Sequence, residues 1–179
     1  MEVKNPPALV AQATGAWCFA AAEVMVRSYR NLPAMSQYAI ARRNLLSLAE
    51  LDPAVQEQWE TAQALDASAT PPRQENGGAN MESAVVQLVR SEYNAFDNAS
   101  TGGQFMQLSA ATVLAEIENN RIFVVGTSIH YYVVYGCNVD GTTLLVRDPW
   151  PAGQGGLATE ISLAVLLNTV GHVAISFTG

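Results

Sequence analysis

The sequence is short of charge, of cysteine and of histidine. Only 14% of its 179 residues are Asp, Glu, Lys or Arg, and there are two cysteines and two histidines. Nine cationic side chains stand against sixteen anionic ones, for a net charge of -7. The arginines are scattered, so no basic stripe exists to hold nucleic acid or an anionic membrane surface. Cys18 and Cys137 are too few for a disulfide framework, and a chain of this length does not depend on one. No apolar run approaches the roughly 18 residues of a membrane span, which excludes membrane insertion by a helix. The N-terminal stretch, interrupted by Glu23 and Arg27, lacks the unbroken core and small-residue cleavage site of a Sec signal. Neither a metal nor a cofactor is expected.

What the chain does have is apolar content: 49% of the residues are hydrophobic, which excludes general disorder and suits one domain over residues 1–179. Pro6, Pro7 and the "ATG" stretch make the first 15 residues loop-like. From Trp17 to Tyr29, alanines and long apolar side chains predict a central helix, with Cys18 in its first turn. Ser36 is placed to cap a second helix, and Pro53 opens a third that runs to about Leu65. The segment "ASATPPRQENGGAN" reads as a long surface loop, followed by a helix from Asn80 to Arg90. The stretch "YNAFDNASTGGQFMQLS" mixes short strand and loop signals, and Ser109 caps a helix to Asn119. Strand patterns then take over in "RIFVVGTS", "HYYVVYGCNV" and "TTLLVRD", with Asp140 and Gly141 as a hairpin turn. "ISLAVLLNTV" predicts a short helix and "HVAISF" a last strand. Helices first and an antiparallel meander afterwards predict an α+β domain, with a helical half over about 1–119, a sheet half over about 120–179, and a cleft between them.

Four residues in that plan can do chemistry together. A cysteine in the first turn of a helix meets unpaired N–H groups and the positive end of the dipole, both of which favour the thiolate. Gln12, six positions earlier, carries an amide that could donate to an oxyanion. Taken alone, Cys18 reads better as a small buried core residue than as a nucleophile. His130 begins a strand after a turn, where it can project into a cleft or simply cap the turn. Asp148 closes the next strand of the same hairpin, eighteen residues on, which returns it to the side of His130. That position suits a carboxylate orienting an imidazole, and also an Asp-Pro turn former. His172, in "GHVAISF", competes for the base role but has no carboxylate at hairpin spacing. Cys137 lies within a strand and reads as inert.

The order Gln, Cys, His, Asp, with "GAWCFAAAEVM", "SQYAIA", "GGANMESAVVQLV", "HYYVVYGCNVDG" and "VRDPWP", resembles the papain-like cysteine peptidases. The similarity is to the bacterial branch that includes the bacteriocin-processing, double-glycine leader peptidases and related effector proteases. It implies a papain-like fold, with Cys18 as nucleophile, His130 as base and acid, Asp148 as orienter and Gln12 as oxyanion donor. In relatives a Gly-containing loop binds an extended substrate strand, a role open to Gly77 and Gly78, which read at least as well as a plain flexible turn. Trp17 reads as packed beside the cleft or under the nucleophile helix, ahead of a specific substrate contact. Two departures stand out: "GAW" precedes the cysteine, and Asp148 stands where papain has asparagine.

The expectation is therefore a cysteine endopeptidase acting on a protein or peptide substrate. With about 17 residues ahead of Cys18, a papain-type inhibitory prosegment has no room within this chain, so either narrow specificity or restraint by an immunity or inhibitor protein is expected. The expected location is the cytoplasm, or a target cell reached through a specialised secretion system as a toxin or effector. The same thioester chemistry would serve a deamidase, a transglutaminase or a peptidoglycan amidase, and a papain-like scaffold can also act as a non-catalytic binding module.

Overall fold

The computed structural model describes residues 1–49, 53–69 and 101–177. Gly77, Gly78, the helix expected over Asn80 to Arg90 and most of the loop before it lie outside the described residues. Three helices come first: α1 (Cys18–Tyr29), α2 (Gln37–Ala49) and α3 (Pro53–Ser68). The alanines of α1 let it approach neighbours on two sides. Ala22, Met25 and Val26 pack towards the sheet, while Trp17 just ahead of the helix, with Phe19 and Ala20, packs with Ile40 and Ala41 of α2 and Ala62 of α3. An all-round apolar helix is a central one, and this one separates the two hydrophobic clusters. It ends where Asn31 takes a positive φ of 55° and Leu32 N–H donates to the Arg27 carbonyl. Ser36 Oγ accepts from Ala39 N–H at 3.1 Å, so α2 begins with a serine cap as expected.

Among the described residues the sheet has six strands, β1 (Gly103–Phe105), β2 (Phe123–Gly126), β3 (Tyr131–Cys137), β4 (Thr143–Arg147), β5 (Glu160–Ser162) and β6 (Val173–Phe177). The helices α4 (Ala110–Glu118) and α5 (Leu163–Asn168) lie between them in sequence. All pairings are antiparallel, in the order β1-β6-β2-β3-β4-β5. The expected meander holds for β2 to β4; β5 is an additional strand whose Ile161 and Ser162 take the first two positions of the expected helix, and β6 returns to pair with β2. The reason is burial: Ala174, Ile175 and Phe177 are all buried, and a strand that is apolar on both faces belongs inside a sheet, not at its margin. The division near residue 119 also changes, because β1 and α4 belong to the sheet side, and Val3 joins the same core cluster. Ser109 and Thr112 form a capping box at the start of α4. The β3–β4 turn is longer than a two-residue Asp-Gly hairpin, since residues 138–142 intervene. Asn138 Oδ1 closes it by accepting from Thr142 and Thr143 N–H, each at 2.9 Å. The architecture is thus α+β, with α1 packed on β3.

Candidate active site

His130 is the last loop residue before β3. Its N–H donates to Thr127 Oγ1 at 3.1 Å and its carbonyl accepts from Thr127 N–H at 2.8 Å, which closes the β2–β3 turn. Asp148 follows β4 directly, and the pairing of Val133 with Arg147 returns it to the same end of the sheet. The hairpin therefore brings the two side chains together: His130 Nε2 lies 2.7 Å from Asp148 Oδ1. The carboxylate is buried and held in place by the main chain. Oδ1 also accepts from Trp150 N–H at 2.8 Å, and Oδ2 accepts from Ala158 N–H at 2.9 Å. Turn former and imidazole partner are one and the same group, since the bond to Trp150 N–H is the local Asx turn of an Asp-Pro sequence. With Nε2 engaged by the carboxylate, Nδ1 is the ring nitrogen left for the cleft.

Tyr132 packs beside this pair. It stands two residues after His130 on the same face of the strand, and the two rings meet edge to face with centroids 4.5 Å apart. Burial pushes its phenol above the ordinary tyrosine range, and the negative charges of Asp148 and Cys18 push in the same direction. Cys18 and Asp148 thus both act on one phenol. Cys18 itself is the first residue of α1 and buried, and the residue that caps the helix, Trp17, makes no side-chain capping bond. The start of a helix and the positive end of its dipole favour negative charge at the sulfur.

Gln12 is buried and tied to the loop that carries Asp148. Its N–H donates to the Pro149 carbonyl at 3.0 Å, and its carbonyl accepts from Gly153 N–H at 2.9 Å. Its side-chain Nε2 donates one hydrogen to the Thr14 carbonyl at 2.6 Å, which leaves the second, and Oε1 has no partner among the described residues. Trp17 is fully buried, tilted against Tyr38 with centroids 6.3 Å apart. Contact with a substrate would require that packing to open. Cys137 ends β3 in the core, where burial raises its thiol and so disfavours the reactive thiolate. His172 Nδ1 bonds the Thr169 carbonyl at 2.9 Å, and no carboxylate bonds its ring among the described residues. Tyr132 was missed by sequence reasoning, although its place two residues after a candidate base on a strand was visible.

Among the described residues no three His, Cys, Asp or Glu side chains are grouped to hold a metal ion, and no helix is long and apolar enough to cross a membrane. No family model and no curated protein matches the sequence. Among solved structures, the chain is similar to the peptidase domain of Streptococcus ComA, a bi-functional ABC transporter involved in a quorum sensing pathway. The TM-score is 0.39 and the identity 14%, over 97% of this chain and 100% of that one.

Proposed function

We propose that the protein is a papain-like cysteine peptidase that cleaves an amide bond through a thioester on Cys18. The observation that carries this reading is the 2.7 Å bond from His130 Nε2 to a buried carboxylate that two main-chain amides hold in position. A carboxylate on Nε2 stabilises the imidazolium and leaves Nδ1 to take the thiol proton. The thiolate attacks the scissile carbonyl, and the tetrahedral oxyanion accepts from the Cys18 N–H and the second Nε2 hydrogen of Gln12. His130 returns its proton to the leaving amine as the C–N bond breaks. Water, deprotonated by the same imidazole, then attacks the thioester, releasing the acid and restoring the thiol. The Tyr132 phenol, kept protonated, closes one side of the imidazole without adding a charge.

The experiment compares wild type with Cys18→Ala in a proteome-wide search for new termini. Cleavage sites that appear only with wild type are expected, and they would define the substrate. Deamidated or cross-linked glutamines without new termini would overturn the peptidase reading in favour of acyl transfer to another acceptor.

A further inference from the structure

The segment around Gln12 is gripped from two sides. On one side its own N–H and C=O bind Pro149 and Gly153. On the other, the half-buried side chain of Gln37, the first residue of α2, binds both flanking peptides: Oε1 accepts from Ala13 N–H at 2.8 Å, and Nε2 donates to the Ala11 carbonyl at 2.8 Å. The planar amide of Gln37 therefore stands in for a neighbouring β-strand. Four main-chain groups about one side chain are fixed by partners from opposite halves of the site. An oxyanion donor is effective when it is aimed beforehand and does not reorganise during reaction. We infer that Gln37 is a positioning residue for the reaction, acting through Gln12 to hold the oxyanion donor in line with Cys18. The inference rests on the proposed role of Cys18 as nucleophile and Gln12 as donor.

Two small reagents separate this role from a merely structural one. Iodoacetamide reacts with a thiolate by displacement and forms no oxyanion. p-Nitrophenyl acetate acylates the same thiolate through a tetrahedral oxyanion and releases nitrophenolate. With Cys18→Ala as the blank, Gln37→Ala is expected to slow acylation about 10-fold, a fraction of the ~10²–10³ that loss of an oxyanion donor costs. Alkylation of Cys18 should stay within about twofold of wild type, because its rate follows thiolate character and access. In a Gln12→Ala background, Gln37→Ala should slow acylation no further. Gln37→Glu, which keeps the acceptor for Ala13 N–H and loses the donor to Ala11, should fall between. Wild-type acylation by Gln37→Ala, equal slowing with both reagents, or the same slowing on Gln12→Ala would each overturn the inference. If Cys18 of the wild type reacts with iodoacetamide no faster than Cys137, the nucleophile assignment itself fails, and the role of Gln37 with it.

Discussion

Replacing Asp148 with asparagine tests the centre of the site. The carboxylate receives three bonds on two oxygens, from His130 Nε2, Trp150 N–H and Ala158 N–H. An amide has one oxygen, so it can satisfy His130 and Trp150 only by presenting its NH₂ to Ala158 N–H, or Ala158 only by presenting NH₂ to the other two. Either way a buried donor is left facing a donor, at about 1–3 kcal/mol of stability. The substitution also has a chemical consequence. An amide oxygen can still accept from His130 Nε2 but lacks the carboxylate's charge, and a neutral hydrogen bond is weaker than a charge-assisted one by about 1–1.5 kcal/mol. The thiolate–imidazolium pair then loses about 5- to 10-fold in population against the neutral thiol and imidazole. Alkylation of Cys18 by iodoacetamide near pH 6.5, read by mass spectrometry with Cys137 as internal reference, should slow by that factor. Combining Asp148→Asn with His130→Ala should add nothing, because the carboxylate acts through the ring. Wild-type alkylation by a folded Asp148→Asn protein would refute the assignment of His130 and Asp148.

The raised pKa of Tyr132 predicts a titration above the ordinary value of about 10. Asp148→Asn and Cys18→Ala should each bring it down while burial still holds it up, as followed by NMR of ring-labelled tyrosine. Because the folded pKa is the higher one, this tyrosine's contribution to stability is complete below about pH 10 and is lost as pH rises through its folded value; an ordinary titration unaffected by Asp148→Asn would contradict the placement. Glu23, fully buried in α1, pairs with Arg27 at 2.8 Å and Arg43 at 2.7 Å. Glu23→Gln should leave the buried Arg27 charge poorly compensated and destabilise the fold by about 3–5 kcal/mol in urea unfolding at unchanged m. A loss below about 1 kcal/mol would mean that the pair is not needed to bury Arg27.

The parts of this molecule that depend on near neighbours were legible beforehand. The alanine run announced a helix that other elements could approach closely, Ser36 and Ser109 announced helix starts, and the strand–turn–strand spacing from His130 to Asp148 was enough to juxtapose the two. The returns that depend on what is available elsewhere were not legible. The apolar pattern of Val173–Phe177 suits a place inside the sheet, but that its partner there is β2 is a long-range pairing that no local pattern records. Gln37 looks like the first polar residue of an ordinary helix, and only the folded chain brings the Gln12 segment across its amide. Tyr132 falls between, since its strand face was predictable and its neighbours Cys18 and Asp148 were two separate readings that no one residue joined.

The distance in sequence between Cys18 and Asp148 overstates the difficulty of assembling the site. The N-terminal segment runs along the sheet before α1 starts: Val3 N–H donates to the Tyr135 carbonyl, Arg147 Nε donates to the Pro7 carbonyl at 3.1 Å, and Gln12 binds Pro149 and Gly153. Cys18 lies six residues beyond that last anchor, a span that even fully extended reaches about 20 Å and is shortened by the bends and turn at residues 13–16. The proposed nucleophile is therefore on a short tether fastened to the loop of the carboxylate proposed to orient its base. A change that loosens Gln12 from Pro149 and Gly153 should disturb the placement of Cys18 relative to His130 even though it touches neither.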